Sequence, residues 1–261
     1  MSFFSANEIC AGYSGKPILR NISFTVEKGC LTGILGANGS GKTTLLKALC
    51  GILPHCGTCT LAGTALEGLS ERQLARLCSY IPQRSGICID ISALDVVLMG
   101  FNPRLGLLEH PNSAMRASAR QAMKQVGLSS MEDENFQHLS EGQKQLCILA
   151  RTLVTDSRLL LLDEPESALD FRLRYGMLAQ LRSWVQEGDR YGIVTLHDPS
   201  LALNDCDELL LLSGGELVGR IRPKTDPLHQ MEQLLEKIYG PVSLVRCRKQ
   251  SGEEQLVMLK E

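Results

Sequence analysis

The chain has 261 residues, 44% hydrophobic and 21% charged, with a formal net charge of −2 at pH 7. That composition excludes disordered and fibrous classes, and the length suits one α/β unit carrying subdomains. The near-neutral charge speaks against a nucleic-acid partner, and no apolar run approaches the roughly 20 residues needed to span a bilayer.

The N-terminal segment lacks a basic stretch followed by an apolar core, so no secretory leader is expected and the chain is expected in the cytoplasm. Residues 22–29 and 31–36 alternate or concentrate apolar side chains between glycine turns, which predicts an N-terminal antiparallel β layer leading into a core strand. Residues 42–53 predict a helix with Leu45, Leu46, Leu49 and Ile52 on one face, ending before Pro54. A hairpin is expected over 58–69 and a core strand over 78–83. From Arg84 to Leu139 the pattern turns to amphipathic helix, interrupted by the Pro/Gly-containing stretch 102–112, which predicts an inserted helical subdomain over 84–139. Helix, buried strand, helix, strand and terminal hairpin follow over 142–154, 158–165, 175–188, 191–197 and 207–219. Alternation of this kind predicts a parallel sheet covered on both faces, within a single domain 1–261 that ends in an extension over 221–261.

The ten cysteines scatter from Cys10 to Cys247, mostly inside apolar runs, and are expected as reduced core thiols. Cys56 and Cys59 beside His55 have zinc-knuckle spacing. No second pair follows, so metal or redox use is the lesser expectation there.

The segment GANGSGKT, Gly36 to Thr43, matches G-x-x-x-x-G-K-[ST] directly after a strand and before a helix. Gly36, Asn38, Gly39, Ser40, Gly41, Lys42, Thr43 and Thr44 are the expected cradle for a triphosphate, held by backbone N–H groups and the helix dipole. Lys42 is expected at the β- and γ-phosphates and Thr43 on Mg²⁺. The run LLLLDEP delivers Asp163 and Glu164 to the C-terminal edge of a buried strand. Strand alternation predicts that they point opposite ways, Asp163 to the metal and Glu164 to the attacking water as general base.

Between these motifs, LSEGQKQ (Leu139 to Gln145) resembles the LSGGQ signature of ABC ATPases, which implies the P-loop, RecA-like fold, ATP and Mg²⁺ as cofactors, and ATP hydrolysis. The resemblance implies an adenine-stacking role for Tyr13, a Q-loop role for Gln83 near Mg²⁺ and the attacking water, a D-loop ending in Asp170, and a switch histidine at His197. It also implies a head-to-tail homodimer in which Ser140, Gly142 and Gln143 of one subunit close on ATP held by the other. Glu141 stands where the first signature glycine is usual and Glu166 where threonine is usual; the Glu141 charge is expected to point away from the nucleotide.

Residues 93–108, 195–202 and 234–245 resemble ATPases of importers for ferric siderophores, haem and cobalamin, although Phe101 and Arg104 depart from that pattern. This likeness implies a separate multi-spanning permease, an external solute-binding protein, and a peripheral place on the cytoplasmic face of the cell membrane. The segment 85–139 is then expected to dock the permease, with Gln83 as hinge and part of the apolar run 96–101 exposed. The alternatives are a non-transport ABC ATPase acting on soluble partners, such as one serving iron–sulphur assembly, or the ATPase of another transporter subclass.

Overall fold

The computed structural model describes residues 3–83, 86–106, 108–188, 190–250 and 252–261. Strands β1 (Phe3–Tyr13) and β2 (Lys16–Glu27) form an antiparallel pair; side chains alternate between buried and exposed along the second half of β2, while the pairing register of β1 shifts after Ala6. Strand β3 (Leu31–Leu35) is buried throughout and enters a different sheet. The loop after it carries the phosphate-cradle motif and feeds α1 (Lys42–Leu49). That helix stops earlier than its apolar spacing suggests. Cys50 caps it and Gly51 turns at φ 73°, so Ile52, expected on the buried face, is 58% exposed.

Strands β4 (His55–Leu61) and β5 (Thr64–Ala65) complete the first sheet in the order β2-β1-β4-β5. Helix α2 (Glu71–Leu77) and strand β6 (Cys78–Ile81) follow. The helical insert comprises α3 (Ala93–Leu98) with a tight turn over Met99–Phe101, then α4 (Ser113–Gln125) and, across the signature motif, α5 (Glu141–Thr155). Arg84 and Ser85, where the insert was expected to begin, lie outside the described residues. The apolar run 96–101 does not offer an exposed patch: Val96, Val97, Leu98 and Phe101 are buried in the same hydrophobic layer as α5. Each such side chain gains roughly 1.5–3 kcal/mol from burial, which the subdomain itself absorbs. Among the described residues, the exposed large apolar side chains of this region are instead Ile89 at 56% and Leu108 at 89%.

Strand β7 (Leu159–Asp163), α6 (Phe171–Gln186), β8 (Tyr191–Thr195) and α7 (Pro199–Asp205) alternate as a parallel α/β unit. Strands β9 (Glu208–Ser213) and β10 (Glu216–Ile221) form a hairpin that closes the six-stranded sheet in the order β10-β9-β3-β8-β7-β6. Strands β3, β7 and β8 are buried at every position, because helices and the first sheet cover both faces. One hydrophobic layer joins this sheet to α1 and the antiparallel sheet, and the other joins it to the helical insert and the C-terminal elements. Those are α8 (Leu228–Tyr239) and the hairpin of β11 (Val242–Arg248) and β12 (Glu254–Lys260). The hairpin is fastened to α7 by Asn204, which donates to Leu256 O at 2.7 Å and accepts from Leu256 N at 2.9 Å.

A groove of about 200 Å³ lies where α4 and α5 meet α6, lined by Leu149, Leu153, Leu181 and Trp184. Gln180 Nε2 donates across it to Gln125 O at 2.5 Å, and the Arg190 guanidinium lies 4.5 Å from the Trp184 ring. Among the described residues, no helix is long and apolar enough to cross a membrane.

Candidate functional site

The loop between β3 and α1 takes its shape from glycine. Gly41 sits at φ 106° directly before the helix, a conformation that side chains rarely adopt. At Gly36 a Cβ would meet Leu212 O at 2.4 Å and Ser40 Oγ at 2.5 Å, so the loop closes tightly only without a side chain there. The result is a cavity of about 430 Å³ floored by residues 38–44 and walled by Gln83, Glu164 and His197. Lys42 Nζ donates to Gly36 O at 2.8 Å and lies 3.9 Å from Glu164 Oε1. Burial lowers the Lys42 pKa, and the charges of Glu164 and Asp163 oppose that shift.

The two carboxylates do not depend on strand alternation. Strand β7 ends at Asp163, and Glu164 turns out of it at φ 50°, in the left-handed region. Asp163 Oδ1 accepts from the Thr43 hydroxyl at 3.1 Å and the Thr195 hydroxyl at 3.0 Å, while Oδ2 accepts from Tyr80 at 3.1 Å. Burial and the neighbouring Asp163 charge raise the Tyr80 pKa, so the phenol stays a donor. Glu164 Oε2 accepts from Gln83 Nε2 at 2.7 Å and lies 2.6 Å from His197 Nε2. The turn is held from below by Glu164 N, which donates to the Thr195 hydroxyl at 2.9 Å. Seven side chains, from the strands β6, β7 and β8, the start of α1 and the three segments that follow those strands, thus meet in one oxygen-rich cluster at the C-terminal edge of the parallel sheet.

Other expected contacts stand away from this cavity. Tyr13 is 42% exposed at the end of β1. Ser140 caps α5: its hydroxyl accepts from Gln143 N, and the Gln143 side chain accepts from Ser140 N at 2.8 Å. Asp170 caps α6 by accepting from Leu173 N at 2.9 Å. Ser140, Gly142, Gln143 and Asp170 do not line the cavity of their own chain.

The profile of the ABC transporter family matches residues 19–167. The hemin import ATP-binding protein HmuV of Bordetella pertussis is 36% identical over 244 residues, covering 90% of this chain and 91% of that protein. The chain belongs to the ABC transporter family. A Helicobacter pylori protein named for iron chelatin transport and ATP binding is 35% identical, with 78% of this chain and 81% of that protein covered. Among solved structures, an inward-facing transporter described as of the metal-chelate type superposes with a TM-score of 0.83 at 24% identity, over 100% of this chain and 99% of that one. This ABC subunit binds ATP and hydrolyses it.

The two departures from the family pattern have different surroundings. Glu141 is largely exposed and its carboxylate pairs with Lys144 one turn along α5 at 2.8 Å. Glu166 is buried at 3% exposure; Oε1 accepts from His197 N at 3.1 Å, while Oε2 has no hydrogen-bond partner among the described residues. Burial raises its pKa, and the His197 N–H works against that rise. Tyr80 and Thr195 were not expected in the site, and Glu166 was marked only as a departure from the family pattern. The first two join the site through cross-strand register, Asp163 opposite Thr195 and Tyr80 opposite Leu161, which no local pattern encodes.

Proposed function

We propose that the protein is the ATP-hydrolysing subunit of an importer for an iron chelate or haem, acting as a homodimer on the cytoplasmic face of the cell membrane beneath a multi-spanning permease. The observation that carries the hydrolytic reading is the convergence of Gln83 and His197 on one oxygen of Glu164, at the wall of a cavity floored by the phosphate loop. The backbone N–H groups of 38–44 and the Lys42 ammonium bind the β- and γ-phosphates. Thr43, Asp163 and Gln83 offer a hydroxyl, a carboxylate and an amide, the hard oxygen donors suited to Mg²⁺. When bound, Mg²⁺ neutralises charge on the phosphate oxygens.

Glu164 takes the proton of the attacking water as the new O–P bond forms and the bond to the bridging oxygen of ADP breaks. His197 and Gln83 hold its carboxylate in place. Tyr13 stacks on adenine. Ser140, Gly142, Gln143 and Asp170 serve the nucleotide of the other subunit, a reading supported by their not lining the cavity of their own chain. The solute class rests on the relatives named for hemin and iron chelatin, and a solute-binding protein outside the cell would deliver it.

The test is Glu164→Gln. ATP binding is expected to persist, turnover to fall by roughly 10²–10⁴-fold, and an ATP-bound dimer to accumulate on gel filtration. Turnover near that of the parent would remove Glu164 from the role of general base.

A further inference from the structure

Away from the nucleotide, β4 brings together three donor atoms that ATP hydrolysis does not use. The cysteine pair noted in the sequence is split by the two-residue period of the strand: Cys56 is exposed, whereas Cys59 is 1% exposed. His55, four residues before Cys59, shares its face. Glu67 follows β5 and reaches back over the same spot, its Oε1 accepting from Cys59 N at 2.5 Å. His55 Nε2 lies 4.0 Å from Cys59 Sγ and 3.5 Å from Glu67 Oε1, and the three donor atoms all lie within 4.8 Å of one another. Bonds of about 2.0–2.3 Å in a tetrahedron put zinc ligands roughly 3.5 Å apart, so small side-chain adjustments suffice.

We propose that His55 Nε2, Cys59 Sγ and a carboxylate oxygen of Glu67 form a binding site for Zn²⁺, with the fourth position left to water or a small ligand. Three further features support it. His55 Nδ1 lies 3.4 Å from Leu53 O, a contact that favours the tautomer with hydrogen on Nδ1 and a free lone pair on Nε2. A cavity of about 250 Å³ reaches the cluster and is walled by Leu49, Leu66 and Leu74, an apolar surround of the kind that keeps water from competing. The mixed thiolate, imidazole and carboxylate set suits zinc, whereas Mg²⁺ takes oxygen alone.

On binding, the S–H bond breaks, the Zn–S bond forms and the proton passes to solvent. Helix α1, eight residues and so about 12 Å long, separates this cluster from the phosphate loop, so the two ions occupy independent places.

The experiment uses the full chain, stripped with EDTA, dialysed into Mg²⁺ buffer and titrated with Co²⁺. One equivalent is expected to bind with a near-ultraviolet thiolate-to-cobalt absorption that Zn²⁺ displaces, since zinc has no d-electron preference to lose on entering a tetrahedral site. Cys59→Ser and His55→Gln should each abolish the band or weaken binding at least about tenfold, with Cys56→Ser unchanged. His55 is not part of the apolar core, so His55→Gln carries the result should Cys59→Ser fail to fold, with retained ATPase activity as the check. A parent protein without the band, a band that survives His55→Gln, or a band lost in Cys56→Ser would overturn the assignment.

Discussion

Glu164 occupies a backbone conformation that costs a residue other than glycine on the order of 1 kcal/mol, and the Thr195 hydroxyl beneath it offsets that cost by accepting from its N–H. The turn delivers the carboxylate toward Lys42, Gln83 and His197, while Asp163 remains on the strand facing Thr43. Both acids were legible in the LLLLDEP run, but their separation was not, because it arises from a turn and a cross-strand hydroxyl and not from strand period. Glu166 belongs to the same scale. Its ionised form is disfavoured by burial, so its folded pKa lies above its unfolded value, and the folded state gains as pH falls through that folded pKa. Glu166→Gln keeps an oxygen for His197 N and removes the buried charge. The stability of the variant relative to the parent is therefore expected to rise from acid pH to pH 8, as followed by thermal melting across pH.

At the scale of elements, the helical insert is held by a close crossing. Gly100 lies so near α5 that a Cβ would meet Arg151 O at 2.3 Å and the Val154 side chain at 2.5 Å. Gly100→Ala is expected to destabilise the fold by about 1–3 kcal/mol, read by denaturant titration, because neither a backbone oxygen nor a packed helix yields cheaply. The helices of the insert were legible from periodicity, and α5 from the Ser140–Gln143 capping box, since these are local signals, whereas the short α2 and α7 and the C-terminal α8 were not expected. What was not legible was tertiary. The run 96–101 looked more apolar than one helix face requires, and its surplus is consumed by contact with α5. The end of α1 was set by Gly51 before Pro54 could act, which put Ile52 outside. Cys56 and Cys59 looked like a pair until β4 placed them on opposite faces.

For the whole molecule, burial of 96–101 moves the expected docking surface to the flanks of the insert, where Ile89 and Leu108 stand exposed. Ile89→Glu with Leu108→Glu is expected to abolish co-purification with the permease and solute uptake while leaving the ATPase activity of the isolated subunit unchanged. Uptake at the parent rate would place docking elsewhere. The groove between insert and core has a different use. Trp184 is the sole tryptophan of the chain, and it lies where α6 faces α4 and α5, beneath the Arg190 guanidinium. Any swing of the insert on ATP binding alters the polarity around that one indole, so the intrinsic emission of the unlabelled protein reports the angle between its two halves. A nucleotide-dependent shift in emission maximum is expected, with the Glu164→Gln protein holding the shifted value. In effect the fold carries its own optical goniometer, and the pace of the power stroke is open to stopped-flow timing without a single added dye.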